Sequence, residues 1–369
     1  MDLNIGMIGV GSIGSTHLIS LKKIKTENLL SAYKADVKIK GVADIDESKL
    51  NNLERKNPFK IEYFTTNPEE ILNDKAIDII YITTPTKFHK DFFLQAAEQG
   101  KNVFCEKPLA FSLEDIKEMI AAKNKYGILT QVGLVLRHCP IFWKLKQILS
   151  DNSDIFGNRL TFSFRDTQNW PVGSRIHPSE WRKNPSLAYA GCLYEHSIHD
   201  VDILEYLFSD NAKLTNLYAK VRYVSPMTQQ KLEDVASIKF EYEDGLIGDL
   251  TSIWNHAKID ERRLEIFFEN SYVVLDGYTD IYFKKYEYMI GRKKTRLDAN
   301  DIVREYLTVN GYPQTTPTTG HYLFENLNFL KSMIKDEKPY PGLEVGYRAH
   351  KIIELAYQSS QKNKNLLIN

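Results

Sequence analysis

Two short stretches hold side chains whose types and spacing suit proton and hydride chemistry. The first is Glu106-Lys107-Pro108, which follows Val103-Phe104-Cys105, the apolar end of a short buried strand. Proline fixes its own φ and biases the preceding residue toward extended backbone, so Lys107 is held at the strand exit. A lysine beyond the carboxyl end of a parallel strand can donate to a reacting oxygen; the plainer alternative is a solvated loop lysine. The second stretch is Gly191 through Asp202. Ile198, Val201, Leu204, Leu207 and Phe208 set one buried helical stripe, and Glu195 and His199 fall at i and i+4 on a single face. A carboxylate beside an imidazole orients the ring and stabilises its charged form, which suits a general base near neutral pH. An ordinary exposed Glu–His pair is the alternative. Asp202 lies one step further along that row, and His196 points off it.

The elements that must position these groups are readable in order. Asn4–Ile8 is a strand, Gly9-Val10-Gly11-Ser12-Ile13-Gly14 a glycine turn, and a helix runs from about Ser15 to Lys25. In that strand–turn–helix setting Gly9 permits the tight turn, Gly11 the approach of a pyrophosphate, and Gly14 close helix packing, with free N–H groups at the helix start for the phosphates. Asp44, at the tip of a strand over Val37–Ala43, can bond ribose hydroxyls and repels a 2′-phosphate, which favours NAD over NADP. The competing reading makes Asp44 a helix cap, with Asp46 and Ser48 as rivals. Ile77–Thr83 is a central parallel strand that ends in the loop Thr84-Pro85 to His89, whose histidine can line a nicotinamide pocket. Asn102–Cys105 delivers Lys107, Ser112–Asp115 is a capping box for a helix to about Tyr126, and Leu129–Leu134 closes the sheet. Residues 1–134 therefore read as a doubly wound Rossmann domain.

From about Arg137 the periodicity becomes that of strands and hairpins. Ala236, Ile238, Phe240 and Tyr242 share one face, and Asp244-Gly245 turns into a strand over Leu246–Trp254. Further strands are expected at Arg159–Arg165, Leu214–Tyr223, Arg263–Phe268 and Ser271–Leu275. Residues 135–369 read as an α+β domain with a mostly antiparallel open sheet, its last helix at about 343–361 packing back on the first domain. The outer sheet face is the expected surface for a homodimer or homotetramer.

The chain has 369 residues with 48 basic and 48 acidic side chains, so no long-range field recruits nucleic acid or an anionic membrane. No signal peptide or membrane-length apolar run is visible. Cys105, Cys139 and Cys192 lack metal-ligand spacing and read as reduced thiols; no metal is expected, and a cytoplasmic location is.

Together, the glycine turn, Asp44, Glu106-Lys107-Pro108 and the Glu195/His199 pair resemble the Gfo/Idh/MocA family of NAD(P)-dependent sugar and cyclitol dehydrogenases. Gly133 with Arg137, Trp181-Arg182 and the segment from Gly342 to Gln361 fall in that family's order, so the resemblance spans essentially the whole chain. It implies that Lys107 contacts both nicotinamide ribose and substrate, and that Glu195 and His199 are the carboxylate and histidine of the substrate domain. Two departures stand out: Glu195 replaces the commoner Asp, and Ala190 replaces a second glycine.

The implied reaction oxidises a secondary hydroxyl of a sugar, sugar derivative or cyclitol to a ketone, or runs in reverse. His199 would take the hydroxyl proton, Lys107 would donate to the developing alkoxide, and Glu195 would hold the imidazole. Gly9, Gly11, Ser12, Ile13, Gly14, Asp44, Thr84, Pro85, His89, Glu106 and Lys107 are the expected NAD contacts. Lys107, Arg137, Arg165, Trp170, Arg182, Tyr194, Glu195 and His199 are the expected substrate contacts, since Trp and Tyr offer apolar faces to sugar rings and Arg can hold a carboxylate or diphosphate. The alternatives are an NAD-dependent glycoside hydrolase acting by transient oxidation and elimination, and a non-catalytic sugar or NAD sensor.

Overall fold

A computed structural model describes residues 1–56, 60–170, 180–224, 232–255, 260–277, 283–314 and 321–368. The chain forms two compact units, residues 1–135 with 315–347, and residues 136–314 with 348–369.

The first unit is built on a six-stranded parallel sheet. Its strands are β1 (Asp2–Ile8), β2 (Asp36–Ala43), β3 (Tyr63–Thr65), β4 (Ile79–Ile82), β5 (Asn102–Cys105) and β6 (Thr130–Val132), in the order β3-β2-β1-β4-β5-β6. Alternation splits the central strands between two cores. Ile80, Ile82, Val103 and Cys105 pack with Phe93, Ile116 and Met119 on one side. Tyr81 and Phe104 stack on each other at 4.8 Å on the opposite side and meet Phe329 and His17. A parallel sheet has to be covered on both faces. That requirement explains why residues 315–347, grouped by sequence with the second half, cluster with the first: the helix His321–Lys335 packs beside the helix Ser12–Thr26. Leu343, the first residue of the final helix Leu343–Lys362, also joins this unit's core.

The second unit carries a nine-stranded sheet. Its strands are β7 (Arg159–Asn169), β8 (Leu214–Arg222), β9 (Val235–Tyr242), β10 (Ile247–Asn255), β11 (Glu261–Phe268), β12 (Tyr272–Gly277), β13 (Phe283–Ile290), β14 (Lys293–Arg296) and β15 (Leu366–Leu367). The order is β14-β13-β12-β11-β7-β10-β9-β8-β15, and every described pairing is antiparallel except β7 with β10. The inner face places Phe162, Phe164, Ile238 and Ile266 against the helix Ile198–Phe208, with Phe162 and Phe208 rings 5.2 Å apart. The outer face carries ion pairs, Arg165–Glu261 and Arg263–Asp276 among them. β13 and β14 escape a sequence reading because their lysines look like solvated loop; as an outer hairpin they put charge on a sheet edge, which discourages pairing with another chain. Among the described residues no helix is long and apolar enough to cross a membrane.

Candidate active site

In the first unit, the carboxyl edge of the parallel sheet gathers the glycine turn, the Thr84 loop and the Lys107 turn, from β1, β4 and β5. Gly9 has φ +93°, and a Cβ there would lie 2.8 Å from the Thr83 carbonyl oxygen. A Cβ on Gly14 would lie 2.2 Å from the Gly9 oxygen, so close packing of helix on turn requires glycine. Gly11 has open space around it, which admits a ligand backbone. The helix that begins at Ser12 has no side-chain cap from Gly11 and no acid in its first turn, so its N-terminal end suits an anion. Asp44 accepts the Val10 N–H at 2.8 Å and the Asp46 N–H at 2.9 Å; the helix Glu47–Lys56 is instead preceded by Asp46, which accepts from Ser48. Asp44 thus ties the tip of β2 to the glycine turn and keeps lone pairs for ribose hydroxyls. Thr84 Oγ1, at the end of β4, is buried without a hydrogen-bond partner among the described residues. These features fit a dinucleotide.

His89 is almost fully buried, with Nδ1 2.7 Å from the Pro108 carbonyl and Nε2 2.8 Å from the Thr84 carbonyl. Burial lowers its pKa although both carbonyls favour the charged form, so it acts as a staple between the Thr84 loop and the Lys107 turn. Glu106 accepts the Lys107 N–H at 3.0 Å through Oε2 and meets His17 Nε2 at 3.0 Å through Oε1. A Cβ on Gly133 would sit 2.7 Å from the Glu106 carboxyl carbon, so glycine leaves the room this carboxylate occupies. Glu325, from the helix His321–Lys335, completes a buried triad with His17 and Glu106. Among the described residues neither Glu325 oxygen has a hydrogen-bond partner, and burial, then the nearby Glu106, hold its carboxyl well above the usual range.

In the second unit, the helical relation expected of Glu195 and His199 does not form. Glu195 ends the short helix Cys192–Glu195, and His199 is the second residue of the helix Ile198–Phe208. The chain breaks at His196, with φ −124° and ψ −61°, because tertiary contacts outweigh helical continuity. Ser197 Oγ bonds Ser252 Oγ at 2.6 Å, and His196 Nε2 lies 2.9 Å from Asp166 Oδ2. Glu195 is buried and pairs with Arg182 Nε at 3.2 Å, while the Arg182 guanidinium lies 4.4 Å above the Trp181 ring. Tyr194 is packed between Tyr189 and His350, at 4.9 and 5.5 Å. His199 is 7% exposed.

Three expected substrate contacts are engaged elsewhere. Arg137 makes a two-pronged pair with Asp202 at 2.7 and 2.8 Å. Arg165 lies half-exposed on the outer face of β7 with Glu261, because each strand residue faces opposite to its neighbour. Trp170 packs edge-on against Trp254 at 5.2 Å.

Several residues that sequence reasoning missed are central. Asp166, next to Arg165, faces the helices, and in register it lies between Arg262 on β11 and Ser252 on β10. Arg262 Nε donates to Asp200 Oδ1 at 2.7 Å, and its Nη2 reaches Asp166 Oδ2 at 3.3 Å and His196 Nε2 at 3.2 Å. Burial lifts the Asp200 carboxyl to about 7 against the pull of Arg262, with the neighbouring Asp166 adding to the rise. The available signal was a charged residue in phase with Phe162 and Phe164, and another in phase with Leu264 and Ile266. Glu233 was also missed. It accepts the Gly191 and Leu193 N–H groups at 2.8 and 3.0 Å and the Tyr357 hydroxyl at 2.7 Å, so it shapes the loop before Glu195. Gly191 cannot carry a Cβ there, since one would sit 1.9 Å from the Glu233 oxygen; Ala190 is accommodated in the core.

Comparison with known proteins gives the same assignment for both units. The Gfo/Idh/MocA model described as an oxidoreductase family with an NAD-binding Rossmann fold matches residues 3–134, and the model of that family's C-terminal domain matches residues 142–274. The chain is 27% identical over 331 residues to the uncharacterized oxidoreductase YrbE of Bacillus subtilis, covering 86% of this chain and 89% of that one. It is 29% identical over 261 residues to scyllo-inositol 2-dehydrogenase (NAD(+)) of the same organism, covering 69% of each. The solved structure of levoglucosan dehydrogenase in complex with NADH shares the fold, with a TM-score of 0.81 at 21% identity over 100% of both chains.

Proposed function

Because this chain belongs to the Gfo/Idh/MocA oxidoreductase family and is an NAD-dependent oxidoreductase, we propose that it interconverts a secondary alcohol and a ketone on a sugar, sugar derivative or cyclitol. The observation that carries this reading is the shared carboxyl edge of the first sheet. There the glycine turn, open at Gly11, stands two strands from Lys107, whose backbone is held by Glu106. The relatives named as inositol and levoglucosan dehydrogenases support a polyhydroxylated ring as substrate.

Bound NAD supplies the hydride acceptor. Lys107 donates to the oxygen on which charge develops as the carbinol is oxidised, an interaction stronger in the transition state than in the alcohol. His199 takes the hydroxyl proton as general base. Glu195, held by Arg182, and Tyr194 contact the substrate; Arg137, Arg165 and Trp170, which pair with Asp202, Glu261 and Trp254, take no part in this reading. We place the protein in a reducing cytoplasm as a homo-oligomer formed through the outer sheet face. The three cysteines, all buried and none of them in a disulfide among the described residues, support the compartment, and light scattering that finds only monomer removes the oligomer.

A screen of NAD reduction over inositols, anhydrosugars, aldoses, uronates and UDP-hexosamines, repeated with NADP, tests the reading. On the best substrate, Lys107→Ala and His199→Ala each lower kcat by at least about a hundredfold, as loss of an acid–base group should. Near-normal turnover in both variants rejects the assignment, and aryl-glycoside cleavage without net NADH formation points to a hydrolase instead.

A further inference from the structure

We propose that His196 relays protons for His199, accepting in the oxidative direction the proton taken from the substrate hydroxyl. The proposal rests on His199 being the base. A base that is only 7% exposed has to pass each proton on before the next turnover. The His196 ring stands 6.2 Å from the His199 ring, centroid to centroid, near enough for one water to bridge them. Its side chain is 19% exposed, whereas Asp166, Asp200 and Arg262 behind it are buried.

The surroundings of His196 satisfy two protonation states of the same atom. Nε2 lies 3.2 Å from Arg262 Nη2, which can only donate, and 2.9 Å from Asp166 Oδ2, which as a carboxylate can only accept. Without a proton, Nε2 takes the hydrogen bond from Arg262. With one, it donates to Asp166. A histidine with a purely structural role needs one of these partners, and the presence of both leaves neither state with an unmet bond.

Charge points the same way. Asp166 and Asp200 contribute two negative charges, Arg262 one positive, and a single further proton makes this buried group neutral. That proton can reside on His196 or on Asp200, whose donor and acceptor atoms lie with those of Asp166 within 4.8 Å of one another. The guanidinium bridges the two carboxylates, donating to Asp200 through Nε and to Asp166 through Nη2. In the transfer the N–H bond on His199 breaks, one on His196 forms, and a single positive charge moves with it. The exposed edge of His196 then returns the proton to solvent. His196 is thus a positioning and relay group, while His199 touches the substrate.

The groups facing His196 include Asp166 from β7, Arg262 from β11, and Asp200 and His199 from the helix that follows it. The decisive variant is His196→Gln, because the amide can accept from Arg262 and donate to Asp166 but cannot carry a proton. On the best substrate of the screen, in dilute buffer at neutral pH, kcat falls about tenfold, KM is unchanged, and added imidazole restores the rate. His199→Gln loses activity and imidazole at the same concentration does not restore it. Wild-type kcat in His196→Gln, or a loss that imidazole leaves untouched, overturns the relay. Near-normal activity in His199→Gln overturns instead the assignment of the base, and the relay with it. A second measurement needs no substrate: histidine-selective 15N NMR of the NADH-bound protein. The His196 ring titrates in the neutral range, and Asp166→Asn moves its midpoint down by about one pH unit or more. A ring locked in one state across that range overturns the proposal.

Discussion

Each unit gathers two buried carboxylic acids around a histidine, and the two sets are built differently. His17, Glu106 and Glu325 are sealed beneath the Lys107 turn, with no guanidinium among them. Asp166, Asp200 and His196 share Arg262, and His196 reaches the surface. In the first set burial, then Glu106, raises the Glu325 carboxyl well above the usual range, against a smaller pull from Lys107. In the second, Arg262 offsets part of the burial, and Asp200 comes to about 7. One buried cation therefore separates a static support from a group that titrates at working pH. The first arrangement suits holding a backbone N–H in place; the second suits moving a proton.

The largest effect should come from removing that cation. Arg262→Met leaves two buried carboxylates without their partner, and breaking a buried pair costs about 3–5 kcal/mol. Urea unfolding at pH 8 measures it. The loss should be smaller at pH 5, where the orphaned acids can take up protons. A variant equally destabilised at both pH values would show that packing of the guanidinium, not its charge, distinguishes the second set. The next effect tests the first set. Gly133→Ala drives a methyl against the Glu106 carboxylate, which His17 and the Lys107 N–H already hold. Overpacking of this kind costs about 1–3 kcal/mol, and we expect kcat to fall with Lys107 displaced while NADH affinity, followed by fluorescence, changes little. Unchanged turnover would mean that Glu106 is dispensable for placing Lys107.

The contrast also separates what the sequence shows from what it hides. The glycine turn, the apolar runs of β4 and β5 and the Ser112 cap, which accepts the Asp115 N–H at 3.1 Å, are local signals, and the structure repeats them. Lys107 was legible because its neighbours in the chain hold it. The second set is assembled from two strands, a helix and the chain break before that helix. Asp166 and Arg262 meet only through the β7–β11 register, which no spacing in the sequence reveals. For the same reason the sequence points to Arg165 and is silent on Asp166: the difference turns on which face of β7 each residue takes. The helix expected through Glu195 and His199 failed on a similar ground, since periodicity cannot see Ser252 and Asp166 drawing Ser197 and His196 out of line. Glu325 lay hidden because the helix that carries it covers the Rossmann sheet from far along the chain.

The smallest effect bears on the contrast most directly. An acid whose folded pKa lies above its unfolded value binds its proton more tightly in the fold, so it subtracts stability as pH climbs past about 4.3, the ordinary glutamate value. That subtraction continues until the folded pKa is passed. Glu325→Gln removes the titration while keeping size and neutrality. At pH 5 the variant should differ from wild type by less than about 1 kcal/mol, because wild-type Glu325 carries its proton there. Between pH 5 and pH 8 the variant should gain steadily on wild type in urea unfolding. Asp200→Asn has the same sign, but its gain should level off above about pH 7, as wild-type Asp200 loses its proton. Two curves that separate above neutrality would establish that Arg262 sets the working range of the second set. A flat difference for Glu325→Gln would mean that Glu325 is ionised in the fold, and the two buried sets would then differ in position alone.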